Sequence, residues 1–194
     1  MNSLFSVFLF LLSTSVYANS ELQGLFGQLK DSGEKYSVAG TVCEQVARLE
    51  LLKQYPAPQY EVVTGIAYAD NRRVIGELDV VVFKNSDHRA VLIAEVKCWQ
   101  NMRNGAKKAQ EQRARFQSTM SSGRTDLSFF LANRREVVFR RPQFEGTPRF
   151  ISIAQEGSES AGFQDELPYT LGELMELRQM LMDCQDRGRC RKAD

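Results

Sequence analysis

Two apolar segments of this chain carry charges that such segments rarely bury. In GELDVVVF, two-residue alternation puts Glu77, Asp79 and Val81 on one face. In IAEVKCW, it puts Glu95 and Lys97 on one face, with Val96 and Cys98 on the other. The neighbouring residues, Val80 to Phe83 and Val91 to Ala94, are apolar. Burying a carboxylate or an ammonium there is costly unless it is paired or holds a metal. One reading is a structural ion pair of Asp79 or Glu95 with Lys97. The other is a site in which two carboxylates hold a hard divalent cation beside an ammonium. An acid two residues before a lysine is a weak signal alone. An aspartate, a short hairpin and Glu-x-Lys at the end of the next strand form a more specific combination, and it favours the site.

The elements that must position these groups are legible nearby. Tyr60 to Tyr68, Val74 to Phe83 and Ala90 to Cys98 are rich in β-branched and aromatic residues and predict three strands. A polar turn, Ala69 to Arg73, joins the first two, and a short polar loop, Lys84 to Arg89, joins the second and third. An antiparallel meander follows, and it brings Asp79, Glu95 and Lys97 together. Gly76 marks a bend or a close backbone approach just before them. Upstream, Val42, Val46, Leu49 and Leu52 recur at helical steps within Val38 to Gln54, and Pro56 and Pro58 end that helix. Downstream, Arg103 to Met120 is polar, has few breakers and predicts a second helix. Leu22 to Lys30 is a weaker helix broken by glycines.

Leu127 to Leu131, Glu136 to Arg140 and Arg149 to Ala154 are further strand candidates, and Ala154 to Asp165 is a polar loop. Thr170 and Glu173 form a capping-box pattern that opens a last helix to about Cys184. No repeat or domain-sized linker interrupts this order, which predicts one mixed α/β domain over residues 19–194.

The 194 residues suffice for one domain with a real core, and 43% hydrophobic with 25% charged residues is ordinary for a globular chain. Leu4 to Leu12 is an apolar run too short to span a bilayer, and Val16-Tyr17-Ala18 follows. Residues 1–18 therefore read as a signal peptide cleaved after Ala18, although no Lys or Arg precedes the run. The alternatives are a buried N-terminal helix or an uncleaved anchor. A signal peptide places the mature protein in the periplasm or outside the cell, with no stable membrane association after cleavage. Four cysteines, Cys43, Cys98, Cys184 and Cys190, match no usual zinc spacing, and in an exported chain they favour disulfides with three connectivities open. The local loop CQDRGRC favours Cys184 with Cys190, leaving Cys43 with Cys98. Free buried thiols are the alternative.

His88 is the one histidine and falls in the polar hairpin loop, so mechanisms built on a catalytic histidine lack their parts. No glycine-rich phosphate loop of the P-loop type occurs.

Asp79, Glu95 and Lys97 on this hairpin resemble the PD-(D/E)XK nuclease superfamily, and most of all its resolvase-like branch. There a helical acid precedes a GE-x-D strand and an E-V-K strand. The resemblance spans Gly40 to Phe116 and implies a restriction-endonuclease-like core, with a mixed central sheet flanked by helices. It makes Glu44, in GTVCEQVA, the helical acid. Related nucleases often carry Gln-x-x-x-Tyr on the helix after the lysine strand; this chain has Gln112 to Phe116 (QRARF), without the hydroxyl. The usual Pro before the aspartate is Leu78 here, and the cysteines and signal peptide are not general features of the family.

The resemblance implies a metal-dependent nuclease that hydrolyses phosphodiester bonds of DNA. Mg2+, or Mn2+ in its place, prefers oxygen ligands. Asp79 and Glu95 would supply carboxylates, the Val96 carbonyl a further ligand, and Glu44 would complete the shell or hold a second ion. Lys97 would orient the water or stabilise developing charge. Gln112 either orients groups at the site or is a solvated helix position. Glu77 either supports the metal ligands from behind or is an edge charge facing solvent.

The net charge of +1 hides an uneven distribution. Arg103, Lys107, Lys108, Arg113, Arg115, Arg124, Arg134, Arg135, Arg140 and Arg141 crowd the middle, while the C-terminal loop and helix are acidic. A basic stretch beside such a site is an electrostatic footprint for nucleic acid, with Lys107, Lys108, Gln112, Arg113 and Arg115 as candidate contacts. A solvated helix face is the alternative. Trp99 and Phe116 read first as core residues and second as platforms for bases. The competing functions are a catalytically inactive nucleic-acid-binding module of the same fold, and a disulfide-stapled exported protein with an unrelated binding role.

Overall fold

The computed structural model describes residues 20–192, apart from 71–72, 124–125, 133–136 and 147. The expected signal peptide lies outside the described residues, as do Arg124, Arg134, Arg135 and Glu136. The chain divides into two compact units, one of Gly40–Leu174 and one joining Met1–Ala39 to Met175–Asp194.

In the smaller unit, residues 20–29 are helical (α1) and bury Leu22, Leu25 and Leu29. Its other helical part, from Met175 onward, belongs to the last helix and buries Leu177 and Leu181. Two side chains of that helix hold the residues after α1. Arg178 Nε donates to the Tyr36 carbonyl at 2.9 Å, and Gln185 Nε2 donates to the Glu34 carbonyl at 2.8 Å. The Cys184–Cys190 disulfide closes the expected short loop.

The larger unit runs α2 (Thr41–Gln54), β1 (Tyr60–Asp70), β2 (Arg73–Lys84), β3 (Arg89–Val96), α3 (Met102–Ser121), β4 (Leu127–Leu131), β5 (Val137–Phe139), β6 (Arg149–Ala154) and β7 (Asp165–Glu166), and ends in the first turn of α4 (Leu171–Asp186). The strands form one mixed sheet in the order β5-β4-β1-β2-β3-β6-β7. β1, β2 and β3 are the expected antiparallel meander. β3 and β6 run parallel, a pairing that needs a crossover; α3 lies in that crossover and packs against β2, β3 and β6. α2 packs against β1, β2 and β3. The fold is therefore α/β, a mixed central sheet flanked by helices.

One core is aromatic. Phe129 and Phe144 stack at 4.3 Å, Phe83 and Phe139 at 5.1 Å, and Tyr68 meets Phe116 edge-on at 5.3 Å. Each such pair stabilises by about 0.5–1.5 kcal/mol beyond the area it buries. Thr170 and Glu173 form the expected box: Thr170 N–H donates to Glu173 Oε2 at 2.8 Å and Glu173 N–H donates to Thr170 Oγ1 at 3.3 Å.

Among the boundaries that differ from expectation, three bear on the α2 and meander region. The turn expected over Ala69 to Arg73 is shorter, because Asp70 pairs with Arg73. α2 starts at Thr41 rather than Val38, with Gly40 as its cap and Val38 exposed. β3 ends at Val96, so Lys97 and Cys98 lie just past the strand rather than on it.

Candidate functional site

β2 and β3 are laddered as far as the pair Val80 and Ala94. One step on, the same register sets Asp79 opposite Glu95, and there the strands part. The Val96 N–H donates instead to Asp79 Oδ2 at 2.8 Å. The Lys97 N–H donates to the Ile153 carbonyl at 3.0 Å, so β3 leaves β2 while staying beside β6. The fork opens a gap in the sheet, and the Asp79 carboxylate, the Glu95 carboxylate and the Lys97 ammonium meet in it.

The Lys97 ammonium donates to Asp79 Oδ2, the oxygen that already accepts from Val96, and to the Val96 carbonyl at 3.0 Å. Glu95 Oε2 is 3.7 Å from Lys97 Nζ, an ion pair beyond hydrogen-bond distance. This oxygen is buried and has no hydrogen-bond partner among the described residues. Asp79 is 5% exposed and Glu95 2%, so solvent does not make up the difference.

Burial pushes the Glu95 carboxyl up to about 9; the Asp79 charge adds to the effect and Lys97 opposes it. Burial pulls the Lys97 ammonium down, but the charges of Asp79, Glu95 and Glu44 outweigh it and hold its pKa above the ordinary lysine value. Partial burial of the Glu77 carboxyl, with the Asp79 charge beside it, raises its pKa against the pull of Lys97. The Glu77 residue as a whole is nonetheless exposed. It faces solvent, one of the two expected placements, while feeling the charges of Asp79 and Lys97.

Glu44 is in the first turn of α2 and half-buried. The Cys43–Cys98 disulfide ties its helix to the segment after β3, and Gln45 Nε2 donates to Thr64 Oγ1 at 2.9 Å on β1. Glu44 is near enough for its charge to act on Lys97. Glu44, Asp79 and Glu95 do not converge as one ligand set, however. Among the described residues, no group of three or more His, Cys, Asp or Glu side chains is placed to hold a metal.

Two residues at the site gave no signal as chemistry-bearing groups. Tyr68 pairs with Gly76 across β1 and β2 and leans over it: a Cβ on Gly76 would lie 2.5 Å from the Tyr68 hydroxyl oxygen. Burial pushes the Tyr68 hydroxyl up to about 12, with the Arg115 charge lowering it and the Glu95 charge raising it. The clue was Gly76, a mid-strand glycine whose missing side chain makes room for a neighbour. Gly65 is the second. It falls opposite Asp79, between the pairs Thr64–Val80 and Ile66–Leu78, with φ +68, a conformation that favours glycine. A Cβ there would lie 3.3 Å from Glu77 Oε1.

The expected nucleic-acid contacts do not share one surface. Lys107, Arg113 and Arg115 are exposed on α3, and Lys108 is half-buried and ion-paired with Glu111 at 3.7 Å. Side chains two apart on a helix point to roughly opposite sides. Accordingly Arg115 acts on Tyr68, while Arg113 lies over the Phe150 ring at 5.2 Å. Gln112 is half-buried, and its Oε1 is buried without a hydrogen-bond partner among the described residues. Phe116 belongs to the core, as expected, but Trp99 does not: it is 43% exposed. His88 is a turn residue with φ 55.

No family model matches the chain, and comparisons with curated proteins and with solved structures give no match.

Proposed function

We propose that this chain is an exported, metal-dependent nuclease that hydrolyses phosphodiester bonds of DNA on a restriction-endonuclease-like core. The observation that carries the reading is Glu95 Oε2, a buried carboxylate oxygen without a hydrogen-bond partner among the described residues, beside Asp79 at the fork of β2 and β3. A divalent cation would give that oxygen the partner it lacks and would take the place of the proton that burial keeps on the Glu95 carboxyl. Mg2+ is commonly held by one or two carboxylates with waters and substrate phosphates, and Asp79, Glu95 and the Val96 carbonyl are oxygen donors of that kind. Bound there, the cation would lower the pKa of a water and polarise a phosphoryl oxygen.

The chain's own residues have defined work. Lys97 spends two of its three N–H groups on Asp79 and Val96, leaving one to orient a water or to meet negative charge developing on the phosphate. Asp79 holds both Lys97 and the parted strand in position. Glu95 would hold the cation as a carboxylate, having given up to solvent the proton that burial keeps on it. The order of elements supports the fold reading, with a helix bearing Glu44, the GELD strand, the EVK segment and a helix bearing Gln112. Two disulfides fit an oxidising compartment, and no helix among the described residues is long and apolar enough to cross a membrane.

A second reading has its own observation. Lys97 already pairs with Asp79, and among the described residues no set of three side-chain ligands is assembled, which suits a catalytically inactive nucleic-acid-binding module. Purified protein incubated with plasmid and Mg2+, with and without EDTA, separates the two. EDTA-sensitive cleavage supports the nuclease. A salt-sensitive shift of DNA without cleavage of any DNA form or RNA supports the module.

A further inference from the structure

One buried side chain holds the path of the chain after Lys97. The last pair between β3 and β6 is Val96 with Ile153, and the Lys97 N–H then donates to the Ile153 carbonyl at 3.0 Å. β6 ends at Ala154, and Gln155 follows. Its side chain reaches back to the segment after Lys97: Gln155 Nε2 donates to the Trp99 carbonyl at 2.8 Å. Where β3 has already left β2, Lys97 to Trp99 thus stay beside the end of β6 through one backbone bond and one side-chain bond.

Gln155 has a fixed base for this. The Ala154 carbonyl accepts from the Leu167 N–H at 2.7 Å, and the Glu156 N–H donates to the Tyr169 carbonyl at 2.9 Å. Ala154 also shares a buried cluster with Ala106 of α3 and with Phe163. Gln155 is 1% exposed, yet its Oε1 has no hydrogen-bond partner among the described residues. Burying an amide with one end unpaired costs free energy, and a methionine would fill the same length of space without that cost. The bond to Trp99 is what the amide adds over such an apolar residue.

That bond steadies the root of the lysine. An ammonium on a flexible four-carbon stem is placed only as well as the backbone beneath it. Gly105 of α3 lies against the Lys97 side chain, since a Cβ at residue 105 would be 3.5 Å from Lys97 Cβ. Cys98 is bridged to Cys43 of α2, and Gln155 holds the Trp99 carbonyl. From this root the ammonium donates to Asp79 and to the Val96 carbonyl.

We propose that Gln155 is a positioning residue for Lys97, holding through the Trp99 carbonyl the backbone from which the ammonium reaches Asp79 and the substrate phosphate. The proposal rests on reading the Asp79, Glu95 and Lys97 cluster as a nuclease site.

Gln155→Met removes the donor and keeps the length of the side chain. Ser158→Ala is the control: Ser158 is buried in the same loop, its hydroxyl has no partner among the described residues, and its N–H, which alanine keeps, donates to the Gln155 carbonyl at 3.2 Å. Both variants are compared with the wild type as full chains, with Mg2+ and DNA, at a temperature where circular dichroism shows them folded. In Gln155→Met, kcat should fall roughly 10- to 100-fold while KM for DNA changes little. Ser158→Ala should match the wild type. Amide hydrogen exchange of the metal-free protein adds a readout that a general loss of stability would not single out. Exchange of the Lys97 N–H should quicken in Gln155→Met by more than that of the N–H groups in the ladder between β2 and β3. An unchanged kcat, an equal loss in Ser158→Ala, or exchange that quickens equally along β3 would overturn the proposal. A wild type without EDTA-sensitive cleavage would remove the nuclease reading and the proposal with it. A wild type that cleaves, beside a Gln155→Met of equal kcat, would remove the positioning role alone.

Discussion

Asp79 Oδ2 accepts the Val96 backbone N–H at 2.8 Å where the ladder between β2 and β3 stops, and the Lys97 ammonium donates to the same oxygen. One carboxylate thus stands in for a lost strand pairing and supplies the counter-charge of a half-enclosed lysine. Asp79→Ala removes both functions and leaves a buried N–H unsatisfied, a loss of about 1–3 kcal/mol. Asp79→Asn keeps an oxygen for Val96 and should fold with a smaller loss. Both variants, and Lys97→Ala, should abolish Mg2+-dependent cleavage. Denaturant titration beside a plasmid assay checks this, and retained cleavage in any of them removes that residue from its role.

Glu95 carries the pH dependence. Its carboxyl is raised from 4.5 to about 9 by burial, with the Asp79 charge adding to the effect. In the metal-free protein the folded state thus holds a proton that the unfolded chain has released, and stability falls as pH rises from about 4.5 toward about 9. Glu95→Gln cannot ionise, so its advantage in Tm over the wild type should grow through that window and level off above it. Mg2+ must displace the same proton, so its affinity for the wild type should rise with pH over that window. A Glu95→Gln advantage in Tm that stays constant with pH would contradict the assignment.

Gly76 and Tyr68 form a packing pair that substitution can expose. A Cβ at residue 76 meets the Tyr68 hydroxyl oxygen at 2.5 Å and its Cζ at 2.8 Å. Gly76→Ala should cost about 1–3 kcal/mol by overpacking. Tyr68→Phe removes the nearer atom only, so the double variant should recover part of that loss. A double-mutant cycle measures the coupling, and strict additivity would show that the ring moves aside freely.

The meander, the two helices around it and the meeting of Asp79, Glu95 and Lys97 were legible because strand alternation and apolar periodicity are local signals. The tip between β1 and β2 was not, since the polar residues around Asp70 read as turn while the ladder carries them as strand. The end of β3 was not legible either. Alternation carries Lys97 onto the strand, whereas the fork depends on Asp79 capturing the Val96 N–H, a contact 17 residues apart. The exposure of Trp99 has a similar origin: an aromatic after an apolar strand suggests core, whereas its backbone is fixed by Gln155, a contact 56 residues apart, and its side chain is left 43% exposed. The spread of Lys107, Arg113 and Arg115 around α3 shows the limit of counting charges along a chain. A basic stretch is a property of sequence, and a basic surface requires helical phase.

The two disulfides should respond differently to reduction. Cys43–Cys98 closes a long loop, with a sequence separation of 55, and such a bridge stabilises by about 4 kcal/mol through the unfolded chain. Its cysteines also adjoin Glu44 on one side and Lys97 on the other, so it fixes α2 against the segment that carries the ammonium. Cys184–Cys190 has a sequence separation of 6, lies within the smaller unit, and neither of its cysteines adjoins Glu44 or Lys97 in sequence. A Cys43→Ser, Cys98→Ser double variant should therefore lose cleavage several-fold at temperatures where it remains folded, and reductant should do the same to the wild type with Mg2+ present. The Cys184→Ser, Cys190→Ser variant should cleave normally. Full activity in reductant, with all four thiols shown to be free, would mean that α2 holds its place by packing alone and that the bridge serves stability rather than the site.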